Sequence, residues 1–490
     1  MTRVEVLKKD MKQYKYTNLT CSVALRILLS ITFASVLSRE LAAQTFSNIH
    51  SFSGGTNGAG PWGPLVGSGE MLYGTANSVF TLNAGGIGFT TLHSLLAPPG
   101  SPPWTNNDGV SPYGQLVLSG NRLFGTAANG GSFGGGTAFS VNTDGTDFTV
   151  LYRFTGGADG ASPQGSLVLS GNTLYGTASL GGASGSGTVF ALNTDGTGFT
   201  NLYSFTALGA PYPANTDGAN PYAGLILRGS RLFGTAANGG SSAYGTVFSI
   251  NTDGSAFTTL HNFAKTDGNG PSAALILSGD ILYGTTVYGG SYGSGTVFSL
   301  NTNSSGFVTL HHFTARSAFS PYANIDGTNP WGALILVGDR LYGTAINGGI
   351  SGRGTVFSLN IDGTGFVTLH SFSAASAPSY TNSDGYFPYA GLISWSNALY
   401  GTTSGGGSSN AGTVFSISLP MAPPQLTIAP SHANFVLTWP TNATGFTLQS
   451  TTNLASHVWT SNSPAPIVVN GQNTVTNPIS GTQQFFRLSQ

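Results

Sequence analysis

The chain has 490 residues, of which 72 are glycine, only 7% are charged and one, Cys21, is cysteine. Its 16 basic and 17 acidic residues give a formal charge of -1, which excludes a basic surface for nucleic acid. The single thiol excludes a disulfide framework and cysteine-based zinc sites.

The first element in chain order is a leader. Lys8, Lys9, Lys12 and Lys15 precede an apolar stretch from Val23 to Leu37, and Leu41-Ala42-Ala43 offers a small residue for cleavage before Gln44. Residues 1–43 are therefore predicted to be a signal peptide, with Met11 as an alternative start. The mature protein is expected to be secreted or at the cell surface, with no integral membrane segment. Cleavage removes 7 of the 16 basic and 3 of the 17 acidic residues, leaving 9 and 14 and a net charge of about -5.

From residue 44 the sequence repeats. Leu-aromatic-Gly-Thr begins at Leu72, Leu123, Leu174, Leu232, Leu282, Leu341 and Leu399. Around each copy stand an apolar run, a Gly-rich stretch, a Gly-Thr-Val-Phe-Ser-type run, a polar turn and a Phe-Thr-Thr-Leu-His-type run. Each unit reads as four short strands, and seven units predict a seven-bladed β-propeller over 44–419. Asn48-Ile49-His50-Ser51-Phe52 stands alone before the first unit, and the seventh stops at Ile417 without its fourth strand. The orphan strand is predicted to fill that vacancy and close the ring, removing two exposed sheet edges.

Strand alternation assigns the short hairpins at Ser119-Gly120-Asn121 and Thr143-Asp144-Gly145 to one face. The Gly-rich second-to-third loops and the connections between units fall on the other, where variation and function are expected. Four connections are long and share a phrase of aromatic, Asn, Asp and Gly: Trp104, Asn106, Asp108; Tyr212, Asn215, Asp217; Tyr322, Asn324, Asp326; and Tyr380, Asn382, Asp384. A second aromatic follows each, at Tyr113, Tyr222, Trp331 and Tyr389, whereas the short connections carry Gln164 and Ser272, and Trp62 follows the N-terminal strand. These sixteen loop residues are the candidate ligand site. Rings that stack on sugar faces beside Asn and Asp that bond hydroxyls would suit a neutral glycan. The same residues would equally serve to pin long loops by aromatic clusters and Asx turns.

Three further chemistries are weighed against the repeat. Each Asp-Gly turn offers one carboxylate where calcium wants six to eight oxygens, so these read as hairpin turns. His50, His93, His261, His311 and His370 share one repeat position with Tyr152 and Tyr203, which describes a packing slot. A glycosidase needs two carboxyls over one substrate, yet Glu70 is the sole glutamate after residue 43 and occupies a turn. No catalytic residue, metal or cofactor is assigned. The partner is expected to be an extracellular glycan or a surface protein, and the protein a monomer. Polysaccharide hydrolase or lyase activity and a structural or adhesive role are the alternatives.

The repeat ends at Pro420-Met421-Ala422-Pro423-Pro424. Residues 420–425 are predicted to be a semi-rigid linker and 426–490 a small β-sandwich, from short strand patterns at Phe435 to Trp439, Phe446 to Ser450 and Phe485 to Leu488.

Leu-Tyr-Gly-Thr, Gly-Thr-Val-Phe-Ser-Leu-Asn, Asp-Gly and Phe-Thr-Thr-Leu-His-Ser-Phe together resemble the GloVer (Gloeobacter/Verrucomicrobia) tandem repeat, over residues 46 to 418. The resemblance implies an exported bacterial repeat protein and carries over no catalytic motif.

Overall fold

The computed structural model describes residues 44–95, 106–210, 213–419, 425–441, 446–453, 458–461, 465–478 and 484–489. The predicted leader, Trp104, Tyr212 and most of the linker lie outside these residues. The chain divides into two compact units, one of them Thr45–Leu419. Its described residues form seven four-stranded antiparallel sheets and no α-helix. No helix among the described residues is long and apolar enough to cross a membrane.

The seven sheets are numbered 1 to 7 by the order of their Leu-aromatic-Gly-Thr strands, and in sheets 1 to 6 one sequence unit supplies all four strands in simple meander order. In sheet 3 the strands are Val168–Ser170, Thr173–Ala178, Thr188–Asn193 and Thr200–Ser204. The second and third strands are buried along almost their whole length, which explains why their repeat phrases are nearly invariant around the molecule. Leu174 pairs with Leu192 and Tyr175 with Ala191, so one side of the pair faces each neighbouring sheet. The fourth strand carries a bulge: Tyr203 pairs with Val189 and Asn201 with Phe190, leaving Leu202 as the extra residue.

Sheet 7 is completed from the other end of the unit. Its strands Ile393–Trp395, Ala398–Thr403 and Thr413–Ser418 are joined by the N-terminal strand Phe46–Ser51. That strand pairs Asn48 with Phe415 and His50 with Val414, skipping Ile49. The bulge falls where every other fourth strand has it, so the N-terminal strand is a fourth strand in register as well as in position.

Among the described residues of this unit seven apolar clusters occupy the spaces between sheets, six of them built from two sheets consecutive in sequence. One joins sheet 7 to sheet 1 through Phe52, Tyr400, Ala411 and Val414 on one side and Leu65, Leu72 and Phe80 on the other. The repeated His or Tyr of each fourth strand stacks flat on a Phe of the following sheet. The pairs are His93 on Phe148, Tyr152 on Phe199, Tyr203 on Phe257, His261 on Phe307, His311 on Phe366, His370 on Phe46 and His50 on Phe89, with centroids 3.5 to 4.1 Å apart. The expected packing slot is thus an inter-sheet stack, which His and Tyr fill alike because both present a flat ring.

The glycine of Leu-aromatic-Gly-Thr is required by space. A Cβ on Gly343 would lie 2.6 Å from Phe357 Cζ and 2.8 Å from Leu334 Cδ2, so the Phe ring sits directly over the backbone. Gly343→Ala is expected to overpack this site and destabilise the protein by about 1–3 kcal/mol. Thermal unfolding of the variant checks this, and an unchanged midpoint would contradict it.

The second unit contains two further sheets. One has the order Thr427–Ser431, Asn434–Pro440, Gln472–Pro478, Ile467–Val469, and the other Thr460–Ser461, Thr447–Thr451, Phe485–Ser489. They share a core of Leu437, Trp439, Leu448 and Val475.

Candidate functional site

The connections between sheets are folded back onto the second-to-third loops. Short bridges join Val110 to Asn129, Ala219 to Asn238 and Thr328 to Asn347, so connections and Gly-rich loops share one face. In the long connections the Asn of the repeated phrase fastens the two together. Asn324 Oδ1 accepts from the backbone N–H of Gly327 at 3.1 Å and of Gly349 at 2.9 Å, while Nδ2 donates to Gly327 O. Asn106, Asn215 and Asn382 accept from the equivalent glycines. In the short connections the backbone carbonyls of Gly157 and Lys265 accept the corresponding bond from Gly182 and Gly290. The Asn side chain therefore replaces a main-chain carbonyl that a longer loop carries out of reach.

The neighbouring Asp is equally committed. Asp326 Oδ2 lies 3.1 Å from His311 Nε2 and accepts from Thr314 N, and its Oδ1 accepts from Thr314 Oγ1. Asp384 repeats this with His370 and Ser373, and Asp217 with Tyr203 and Thr206. Asp108 meets His93 at 3.0 Å. Short connections have the same clamp, at Asp159 with Tyr152 and Asp267 with His261. The seventh connection carries Asn57, which accepts from Ser53 N. The clamp thus holds the stacked ring at six connections, whatever the loop length, while at the seventh Asn57 holds the backbone alone. Asp217, Asp326 and Asp384 are buried.

Burial by itself would raise the carboxyls of Asp326 and Asp384. Bonds from His311, Thr314 and His370, Ser373 outweigh it and hold both below the usual carboxylate range. A lowered folded-state pKa contributes stability that is complete above the unfolded value of about 4 and is lost as pH falls through the folded values. Acid unfolding is therefore expected to begin below about pH 4 and to be blunted in an Asp326→Asn, Asp384→Asn double variant. Melting curves between neutral pH and pH 2 test this; identical pH slopes for both proteins would refute it. Burial together with the Asp159 charge pushes the Tyr152 hydroxyl up to about 12, so this clamp holds a neutral phenol at ordinary pH.

The second aromatics are placed differently. Tyr113, Tyr222, Trp331 and Tyr389 come together with Trp62, Gln164 and Ser272 around one cavity of about 380 Å³. Each stands just before the first strand of its sheet, ten residues ahead of the Leu of Leu-aromatic-Gly-Thr. All seven sheets contribute, and the wall is otherwise made of small residues such as Gly114, Gly165, Ala223 and Gly332. Smallness is imposed by contact. A Cβ on Gly114 would lie 2.9 Å from Gly165 O, one on Gly165 2.6 Å from Ala223 O, and one on Gly332 2.7 Å from Ala390 O. The wall segments touch backbone to backbone, tied by threonine hydroxyls of the neighbouring sheets, as Thr177 to Ala223 O and Thr344 to Ala390 O, both at 2.8 Å.

The seven equivalent positions are filled unevenly. Trp331, Tyr389, Trp62 and Tyr113 come from sheets 6, 7, 1 and 2 and form a continuous arc. Their centroids are separated by 6.3, 4.0 and 5.5 Å. Gln164, Tyr222 and Ser272 come from sheets 3, 4 and 5. No lining residue is charged, and burial raises the Tyr389 hydroxyl further above the neutral range. Among the described residues no group of three or more His, Cys, Asp or Glu stands together.

The sixteen candidate residues are therefore divided. Four join the cavity and the described Asn and Asp residues tie loops. Tyr322 and Tyr380 are about half exposed, at 52% and 51%, are not among the lining residues and make no ring contact with Trp331 or Tyr389 among the described residues. Trp62, Gln164 and Ser272 were visible in the sequence as departures from the aromatic pattern; their constant ten-residue offset is the signal that groups them.

No curated protein matches the sequence. Among solved structures the chain is similar to a GH74 enzyme of Niastella koreensis at 14% identity and TM-score 0.48, covering 81% of this chain and 59% of that one. It is also similar to an oligogalacturonate lyase in complex with manganese, at 11% and 0.46, covering 77% and 97%. A computationally designed protein, Ika8, matches at 14% and 0.38, covering 75% and 98%. At these identities no residue role transfers. The model of the Gloeobacter/Verrucomicrobia repeat matches three successive segments, 77–215, 212–326 and 321–429. These segments take in most of the sheets and of the connections that carry the cavity's aromatic residues, and the chain belongs to the Gloeobacter/Verrucomicrobia repeat family.

Proposed function

We propose that the protein is an exported seven-bladed propeller, closed by its N-terminal strand, that binds an uncharged extracellular glycan at the centre of its loop face without transforming it. The observation that carries this reading is the cavity. Five aromatic side chains meet around it, no charged group lines it, and an amide and a hydroxyl stand among them. Sugar rings offer C–H faces to aromatics and hydroxyls to neutral polar groups, and lose least where no ion must be desolvated. Ring closure is supported by the register of the N-terminal strand and by the cluster and stack that join sheet 7 to sheet 1. A small β-sandwich would follow, beyond the linker.

The same lining supports the absence of turnover. Glycoside cleavage uses a carboxyl acid and a second carboxylate close by, and no lining residue is an acid, a base or a histidine. The buried loop Asp residues are occupied in clamps. The test is a glycan-array screen of the protein beside a Trp62→Ala, Tyr389→Ala variant, with product analysis on any glycan bound. Binding lost in a folded variant with no products supports the reading. Products from a bound glycan would make the protein an enzyme, and failure to bind any glycan would redirect the search to protein partners.

A further inference from the structure

Resting on that reading, we infer that the cavity receives the end of a glycan chain, a terminal uncharged sugar, and not the interior of a polymer. Its geometry distinguishes the two. A chain bound along its length needs a cleft open at both ends, whereas this cavity is walled by equivalent segments from all seven sheets. Those segments cannot part easily, because their glycines touch neighbouring carbonyls with no room for a methyl group. The volume of about 380 Å³ lies near the bottom of the ~300–1,000 Å³ range of small-molecule sites. That is room for a chain terminus and for little of the polymer behind it.

The uneven wall orients the guest. Trp62 and Tyr389, whose centroids are 4.0 Å apart and whose planes differ by 32°, sit at the middle of the aromatic arc and offer a surface for one face of a pyranose. Gln164 and Ser272 supply the neutral polar groups outside that arc. Gln164 Nε2 donates to Ser162 Oγ at 3.1 Å and Ser179 Oγ at 3.4 Å. These bonds fix the amide and leave Oε1 as an acceptor for a sugar hydroxyl. Ser272 Oγ donates to Gly270 O at 3.2 Å and keeps its lone pairs for a second donor. Two placed acceptors beside an aromatic face can discriminate sugars that differ at one hydroxyl, which makes Gln164 a specificity-determining residue.

The test uses the whole protein and defined ladders of cello-, xylo-, manno- and laminari-oligosaccharides from two to six sugars, with the parent polymers, by titration calorimetry. For a ladder that binds, affinity is expected to reach a plateau by the trisaccharide, changing less than about 3-fold beyond it. Random scission of the polymer at constant mass should raise binding capacity in proportion to the ends created. Gln164→Ala is expected to weaken the preferred ladder about 10-fold while bringing sugars that differ at one hydroxyl closer in affinity. Affinity that climbs with every added sugar, or capacity that tracks mass and ignores the number of ends, overturns chain-end recognition while leaving glycan binding intact. If neither ladders nor polymers bind, glycan binding itself falls and this inference with it.

Discussion

A protein lacking residues 46–52 is expected to lose most of its stability and to self-associate. Phe52 is completely buried in the cluster between sheets 7 and 1, and truncating a buried Phe to Ala typically costs about 3–5 kcal/mol. Whole domains have stabilities of only about 5–15 kcal/mol. The deletion also removes the stack of Phe46 on His370 at 3.8 Å and of His50 on Phe89 at 4.1 Å. It leaves the strand Thr413–Ser418, now Thr-Val-Phe-Ser-Ile-Ser, as an unprotected apolar edge. Phe52→Ala isolates the packing part and should lower the unfolding midpoint while staying monomeric; the full deletion should add self-association. Calorimetry and size-exclusion chromatography measure the two effects. A deletion variant that melts like the parent and elutes as a monomer would mean that the N-terminal strand does not close the structure.

The second large effect is on ligand binding. Changing Trp62 and Tyr389 to Ala removes the middle of the aromatic arc and is expected to weaken binding of a recognised glycan by about 30-fold or more, as for a buried aromatic hot spot worth ~2 kcal/mol. Trp62 is 38% exposed and belongs to the cavity lining, so its loss should move the melting temperature far less than Phe52→Ala does. Tyr322→Ala with Tyr380→Ala is the control. Both rings lie outside the lining on connections held by Asn and Asp bonds that these changes leave in place. Binding should fall by less than about 3-fold. If the control loses binding and the arc variant keeps it, the ligand sits on the outer loops and the cavity is empty space.

Much of this architecture was readable because it repeats. Leu-aromatic-Gly-Thr, the Val-Phe-Ser run and the His or Tyr slot recur because each sheet meets the same neighbours, and identical surroundings demand identical residues. The N-terminal strand was identifiable as the missing fourth strand for the same reason. The His/Tyr position read correctly as packing, although the stacking Phe of the next sheet lies far along the chain. Phe46 and His370, 324 residues apart, meet only because sheet 7 is assembled from both ends of the unit.

The candidate site was half legible, and the missing half has a single physical cause. Connections differ in length, so the distance in sequence from His93 to Asp108 is 15 residues but from His261 to Asp267 only 6. A clamp repeated in space is therefore not periodic in sequence, and its Asp and Asn looked like ligand groups of the long loops. The sequence alone determined the repeat, the strand count of each unit, the neutral composition and the positions of the aromatic residues. Only the tertiary structure decided which aromatics act together, because convergence of Trp62, Tyr113, Gln164, Tyr222, Ser272, Trp331 and Tyr389 depends on how seven sheets are arranged around the cavity, and no local preference of the chain encodes that arrangement.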